Sequence, residues 1–199
     1  FWVRVTQGRT TGSVSFTPAS TVHNSFSYLK SGKKGNYPHV KLQTVFNGMM
    51  DETAVALVPD ATVGATDVFD SDKIFGQNVN MGEVYTIASN RDLAINSLPQ
   101  QPQHIVPVGL LVRHSGTVIF KLGDGVIPDN LIVTLKDKST GEITNLTAGD
   151  RKRVYIQLDD GGMDGKDREA RVTHIKDRFE LILTSGTPTS LEEHPLNPD

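Results

Sequence analysis

From Leu131 to Leu146 apolar and polar side chains alternate, Leu131, Val133 and Leu135 against Ile132, Thr134 and Lys136, then break and resume after Gly141. A period of two puts one set on each side of an extended chain, so the pattern predicts a strand, a turn and a second strand. The turn is Asp137, Lys138, Ser139, Thr140 and Gly141. An Asp side chain there can accept from backbone amides two residues on, and glycine takes positive φ at no steric cost. Further short strand-like runs, some alternating and some not, fall at 2–7, 12–17, 40–47, 84–88, 93–96, 106–113, 117–122, 153–158 and 178–184. In the third, Val40, Leu42, Thr44 and Phe46 share a face; in the last, Phe179, Leu181 and Leu183 do. Residues 53–58 are more continuously apolar and closed by Pro59, which suits a strand buried on both faces, with 49–51 as the turn before it. A helix over 49–57 fits the same residues, because periodicity alone does not separate the two in so short a run.

Gly82, Asn90, Pro99, Pro102, Pro107 and Gly116 punctuate these runs, and evenly spaced short strands with such breaks signal a sandwich or barrel. The expected fold is all-β, an antiparallel β-sandwich in two packed halves, residues 1–99 and 100–185, meeting near Pro99 to Pro107. Residues 186–199, rich in proline and without period, read as a linker or tail. At 199 residues the chain is long enough for one large sandwich or for two smaller ones. Its 18 glycines and 10 prolines suit a globular fold with many turns, and 22% charged residues exclude neither surface nor core.

The net charge of −3 is spread without a basic stripe, so neither nucleic acid nor membrane insertion is expected. Lys30, Lys33 and Lys34 fall in the polar stretch 19–38 and read as a solvated loop. Cysteine is absent, which removes disulfides, thiolate zinc sites and a cysteine nucleophile. No apolar run approaches the roughly 20 residues that span a bilayer as a helix. The chain opens Phe1, Trp2, Val3 rather than with Met and a basic-then-apolar leader, which reads as a processing boundary.

Candidate chemistry is concentrated in two acidic loops. Asp67, Asp70 and Asp72 would repel one another unless a cation or several backbone amides sat among them, so they form either a calcium loop or a backbone-capping loop. The glycine and terminal glutamate of an EF-hand are missing, which favours capping. Asp159, Asp160, Asp164 and Asp167 with Gly161, Gly162 and Gly165 make a weaker calcium candidate in a long hairpin excursion, whose charged continuation runs to Asp177 and carries, at most, a poorly patterned helix over 167–175.

Catalytic patterns are lacking. His23, His39, His104, His114, His174 and His194 are scattered without an H-x-x-x-H pair, and no G-x-S-x-G elbow, P-loop or dinucleotide fingerprint is present. No catalytic residue is assigned, and no cofactor beyond a structural calcium. Two further readings have discriminating features. A sugar-binding module needs exposed aromatics, for which Trp2, Tyr28, Tyr37, Tyr85 and Tyr155 are the supply; a hydrolytic domain needs a cleft with two carboxylates at glycosidase separation.

Five segments follow one another in a recognisable order: Phe69 through Gly76; Leu93 through Pro99; Val106 to Gly109; Leu135, Lys136 and Asp137 with Thr140, Gly141, Asn145 and Leu146; and Arg178 to Leu181. Together they resemble the non-catalytic β-rich region near the C-terminus of large Bacteroidota surface proteins, upstream of the type IX secretion sorting domain. That resemblance implies an exported, cell-surface-attached polypeptide of the adhesin kind, with this chain as a stalk or adhesive module. Its implied partners are neighbouring domains of the same polypeptide and a surface glycan or protein ligand.

Overall fold

A computed structural model describes residues 10–13, 15, 37–64, 68–158 and 172–186. The chain divides into two compact units, Phe1–Gly35 and Asn36–Asp199. Of the first, residues 10–13 and 15 are described and are exposed, outside any strand. The strand expected at 2–7, the rest of 12–17 and nearly all of 19–38 lie outside the described residues.

The second unit is all-β, as the alternation requires. Its strands are β1 (His39–Phe46), β2 (Met49–Leu57), β3 (Ser71–Asp72), β4 (Glu83–Ala88), β5 (Arg91–Leu98), β6 (Gln103–Val112), β7 (Gly116–Leu122), β8 (Leu131–Asp137), β9 (Ile143–Asn145), β10 (Lys152–Ile156) and β11 (Thr173–Ser185). They form one sheet in the order β10-β7-β1-β2-β5-β4-β6-β11-β8-β9, with β3 added against β5. The ladders are antiparallel except β2 with β5, parallel from Ala54↔Ile95 to Leu57↔Leu98, so the sheet is mixed. Parallel neighbours need a crossover, and here β3 and β4 supply it. Strands on both sides of Pro99 share this sheet: β4 pairs with β6, and β1 with β7.

The local turns follow from their residues. β1 and β2 are joined at Asn47 and Gly48, with φ of 50° and 78°, and not at 49–51 as the sequence reading has it. Asn-Gly is the pair that tolerates positive φ at both central positions of a tight hairpin, so Met49 and Met50 belong to β2, which also removes the helix alternative. Ser89 and Asn90, with φ of 48° and 61°, make the equivalent turn between β4 and β5. The hairpin expected around residues 137–141 is present, with Gly141 at φ 75° and the Ser139 amide donating to Asp137 Oδ1 at 3.1 Å. Residues 173–175 form the start of β11 rather than a helix, and the strand carries an irregularity between Ile175 and Phe179.

One core is enclosed by this sheet. Val40, Leu42 and Phe46 of β1 join Phe120 of β7, Leu135 of β8, and Phe179, Leu181 and Leu183 of β11. β7 and β11 stand near opposite ends of the strand order, yet the Phe120 and Phe179 rings lie 4.8 Å apart, so the sheet curls until its two flanks meet across the interior. At the ends themselves the Lys152 ammonium of β10 reaches the Glu142 carboxylate just before β9.

Candidate functional site

Of the acids singled out by sequence, Asp67 and the run 159–167 lie outside the described residues. Asp70 and Asp72 are held by different partners. Asp70 Oδ1 accepts the Ser97 backbone N–H at 2.8 Å, while the Ser97 hydroxyl donates to the Phe69 carbonyl at 3.0 Å. Asp72, in β3, accepts from Arg91 at 2.8 and 2.9 Å. Among the described residues no three His, Asp or Glu side chains gather as a metal-ligand set.

What these contacts build is a strap. In β4, Val84 belongs to the enclosed core, so Glu83 and Tyr85, one residue either side, face the opposite way; in β6, Leu110 and Val112 face the core, and Gly109 and Leu111 alternate with them, with Arg113 just past the end of the strand. This outer face is nonetheless buried, because residues 69–82 run along it. The Lys73 amide donates to the Asp92 carbonyl at 2.8 Å, and its ammonium reaches Asp51 Oδ2 at 2.6 Å, an oxygen that also accepts Val84 N–H at 2.8 Å. Glu83 uses both oxygens, one for Gly76 N–H at 2.7 Å and one for Arg113 at 3.0 Å. Arg113 further donates to the carbonyls of Asn78 and Gly76. The Lys73, Glu83 and Arg113 side chains are almost wholly buried. Charges so placed are tolerable only when paired and hydrogen-bonded, and these are.

Under the strap lies an aromatic cluster. The Tyr85 ring sits directly on Gly109, where an added Cβ would stand 2.2 Å from a ring carbon, so position 109 has no room for a side chain. Phe75 meets Tyr85 and His174 edge-on, both at 5.1 Å, and the Tyr85 hydroxyl bonds His174 Nδ1 at 2.8 Å. Burial pushes the Tyr85 phenol far above its ordinary value, which keeps it an O–H donor. Burial, and next the Lys176 ammonium, lower His174, in keeping with a neutral imidazole that accepts at Nδ1. Lys176 itself grips Asp92 through both carboxylate oxygens at 2.8 and 3.0 Å.

A second tie closes the hairpin. Asp137 receives Arg178 at 3.0 and 2.8 Å, one contact to each oxygen, and the Ser139 hydroxyl at 2.7 Å. Burial alone would raise this carboxyl, but the Arg178 guanidinium and the Ser139 donors outweigh it and hold the group below the usual carboxylate range. The residue expected to shape a turn therefore also fastens β8 to β11.

The other sequence candidates are dispersed. Tyr85 is fully buried, whereas Tyr37 and Tyr155 are exposed on separate segments. His39 bonds the Tyr37 carbonyl at 3.0 Å, and His114 packs on Phe46 with ring centroids 4.8 Å apart. The sequence reading missed Asp51, Glu83, Arg113 and Arg178. A usable sign existed: Arg113 directly follows the apolar run Leu110, Leu111, Val112, and Glu83 heads Val84 and Tyr85, and a charge inside a strand buried on both faces must have a partner. Comparison of the chain with protein-family models, with curated proteins and with solved structures found no match.

Proposed function

We propose that this chain is a non-catalytic β module of an exported cell-surface polypeptide, serving as a stalk or adhesive region beside a type IX secretion sorting domain. The observation that supports the reading is where the five resembling segments fall. The first and second are tied together by Asp70 with Ser97, and the fourth and fifth by Asp137 with Arg178. Gly109, which ends the third, is the residue on which Tyr85 rests. The residues that carry the resemblance thus maintain architecture, as suits a module whose task is to hold shape between neighbours. Its partners in this reading are adjoining domains and a glycan or protein at the surface, with calcium, if used, in a structural role.

The test is display. In a bacterium with the type IX apparatus, the parent polypeptide should be labelled on intact cells by an antibody to this chain and be lost from the surface when the apparatus is disabled. Retention inside the cell in both strains would sink the proposal. A glycosidic activity abolished by removing a pair of carboxylates would replace it with the hydrolytic reading.

A further inference from the structure

β4 pairs with β6 over Glu83 to Thr86 and with β5 over Thr86 to Ala88, so past Ala88 the two neighbours are no longer bridged by it. Beside that point lies a half-open cavity of about 130 Å³. Its walls are mixed, polar and apolar in nearly equal part; Ile87 and Ala88 of β4, Leu98 of β5, and Val106 and Pro107 of β6 supply the apolar part, while Val63 stands at its edge, more than half exposed. Two polar side chains also line it, Asn96 and His104, which are 2% and 7% exposed.

His104 is half committed: its Nε2 bonds the Pro99 carbonyl at 2.8 Å, which makes that nitrogen the N–H donor and leaves Nδ1 as an acceptor. Among the described residues no hydrogen-bond partner meets the Asn96 side-chain amide, although the residue is 98% buried (2% exposed) in a strand. The amide faces the cavity rather than the sealed interior, so a donor and an acceptor of a ligand can meet it there. No Asp, Glu, Lys or Arg lines the space, so a charged ligand would lose its hydration without a counter-charge.

We infer that this cavity is a binding site for a compact neutral group that carries an amide or hydroxyl on a branched aliphatic body. Asn96 supplies a donor and an acceptor, His104 Nδ1 a further acceptor, and Ile87, Leu98, Val106 and Pro107 the apolar contact. A cavity of roughly 150 Å³ holds benzene, so the occupant has about six to eight non-hydrogen atoms. The site is independent of the strap and of the cell-surface reading.

The probe is isovaleramide, with isovalerate as its charged equal in shape. Titrated into the labelled full chain, isovaleramide should shift the amide resonances of Ala88, Asn96, Leu98 and His104 saturably, with a Kd of about 1–10 mM, as expected for so small a ligand. Isovalerate should bind at least about tenfold more weakly. Asn96→Leu should abolish the shifts, because it removes the donor and acceptor that meet the ligand's amide. Val63→Trp, at the exposed edge, should block entry while leaving the fold intact, and serves alone if Asn96→Leu does not fold. Absence of saturation by about 100 mM, equal binding of the carboxylate, or unchanged binding in the folded variants would each overturn the inference.

Discussion

Replacing Asp137 with Asn keeps the shape of the side chain and an oxygen for Ser139, and removes the charge that Arg178 needs. The carboxylate is 1% exposed and the guanidinium 25%. Breaking a fully buried pair costs about 3–5 kcal/mol, most of it from the stranded partner. Arg178 is not fully buried, and it lies 5.1 Å above the Phe179 ring, so part of its charge stays hydrated or stacked once the carboxylate is gone. We therefore expect a loss of about 2–4 kcal/mol, or roughly 5–15 °C in melting temperature for a chain of this size. The carboxyl is held below its ordinary value in the fold, so its contribution is fully present above the unfolded-state pKa of about 4 and disappears as pH falls through the folded one. Urea unfolding of wild type and Asp137→Asn should give a constant gap from pH 8 to 5 that closes in acid. A double-mutant cycle with Arg178→Met should return a coupling of about 1.5 kcal/mol or more. Additive substitutions, or a gap indifferent to acid, would refute the view that this pair joins the hairpin to β11.

Gly141→Val should cost about 1–3 kcal/mol by denaturant unfolding through backbone strain alone, since φ is positive and nothing lies within 4 Å of the added carbon. Asp70→Ala should lower the melting temperature equally in chelator and in millimolar calcium, because it strips the Ser97 amide of its acceptor; a loss seen only with calcium would favour the cation instead. His174, lowered in the fold, stabilises above about pH 6.5, and that benefit is lost as pH falls, so wild type should lose stability relative to His174→Gln between pH 7 and 5; parallel curves would remove the imidazole from the strap.

Much of this fold is legible in residue order because it depends on a period of two. Val40, Leu42 and Phe46, and Phe179, Leu181 and Leu183, are buried on the face that alternation assigns them. Two things escape that reading. The β1–β2 turn is misplaced by two residues because the apolar weight of Met49, Met50 and their successors outweighs the Asn47-Gly48 pair, although both methionines point to solvent. The partnership of β2 with β5 is invisible because parallel pairing is set by the path of the crossover, residues 58–90 here, and not by anything in the two strands. The acidic stretch around Asp70 is visible as a site of interest, but its partners, Ser97 and Arg91, are remote in sequence and betray nothing individually.

The strap explains why β4 and the end of β6 read as unbroken apolar runs rather than as alternating ones. A strand with solvent on one side needs only every second residue apolar, whereas Glu83 through Thr86 and Val108 through Arg113 are all buried. Covering such a face with a second sheet would require another set of strands; a single extended segment does it here because charged side chains fix its path. Each clamp joins a strap residue or its flank to a different element: Lys73 to β2, Asp72 to β5, and Gly76 and Asn78, through Arg113, to the end of β6. Releasing one clamp therefore leaves the others to hold the segment in register, whereas widening Gly109 acts on all of them at once, because it lifts the Tyr85 ring that the strap is closed upon. Gly109→Ala should accordingly destabilise the outer face more than loss of the half-buried Asp72 and Arg91 pair, an ordering that hydrogen exchange at the Lys73 and Gly76 amides would read directly.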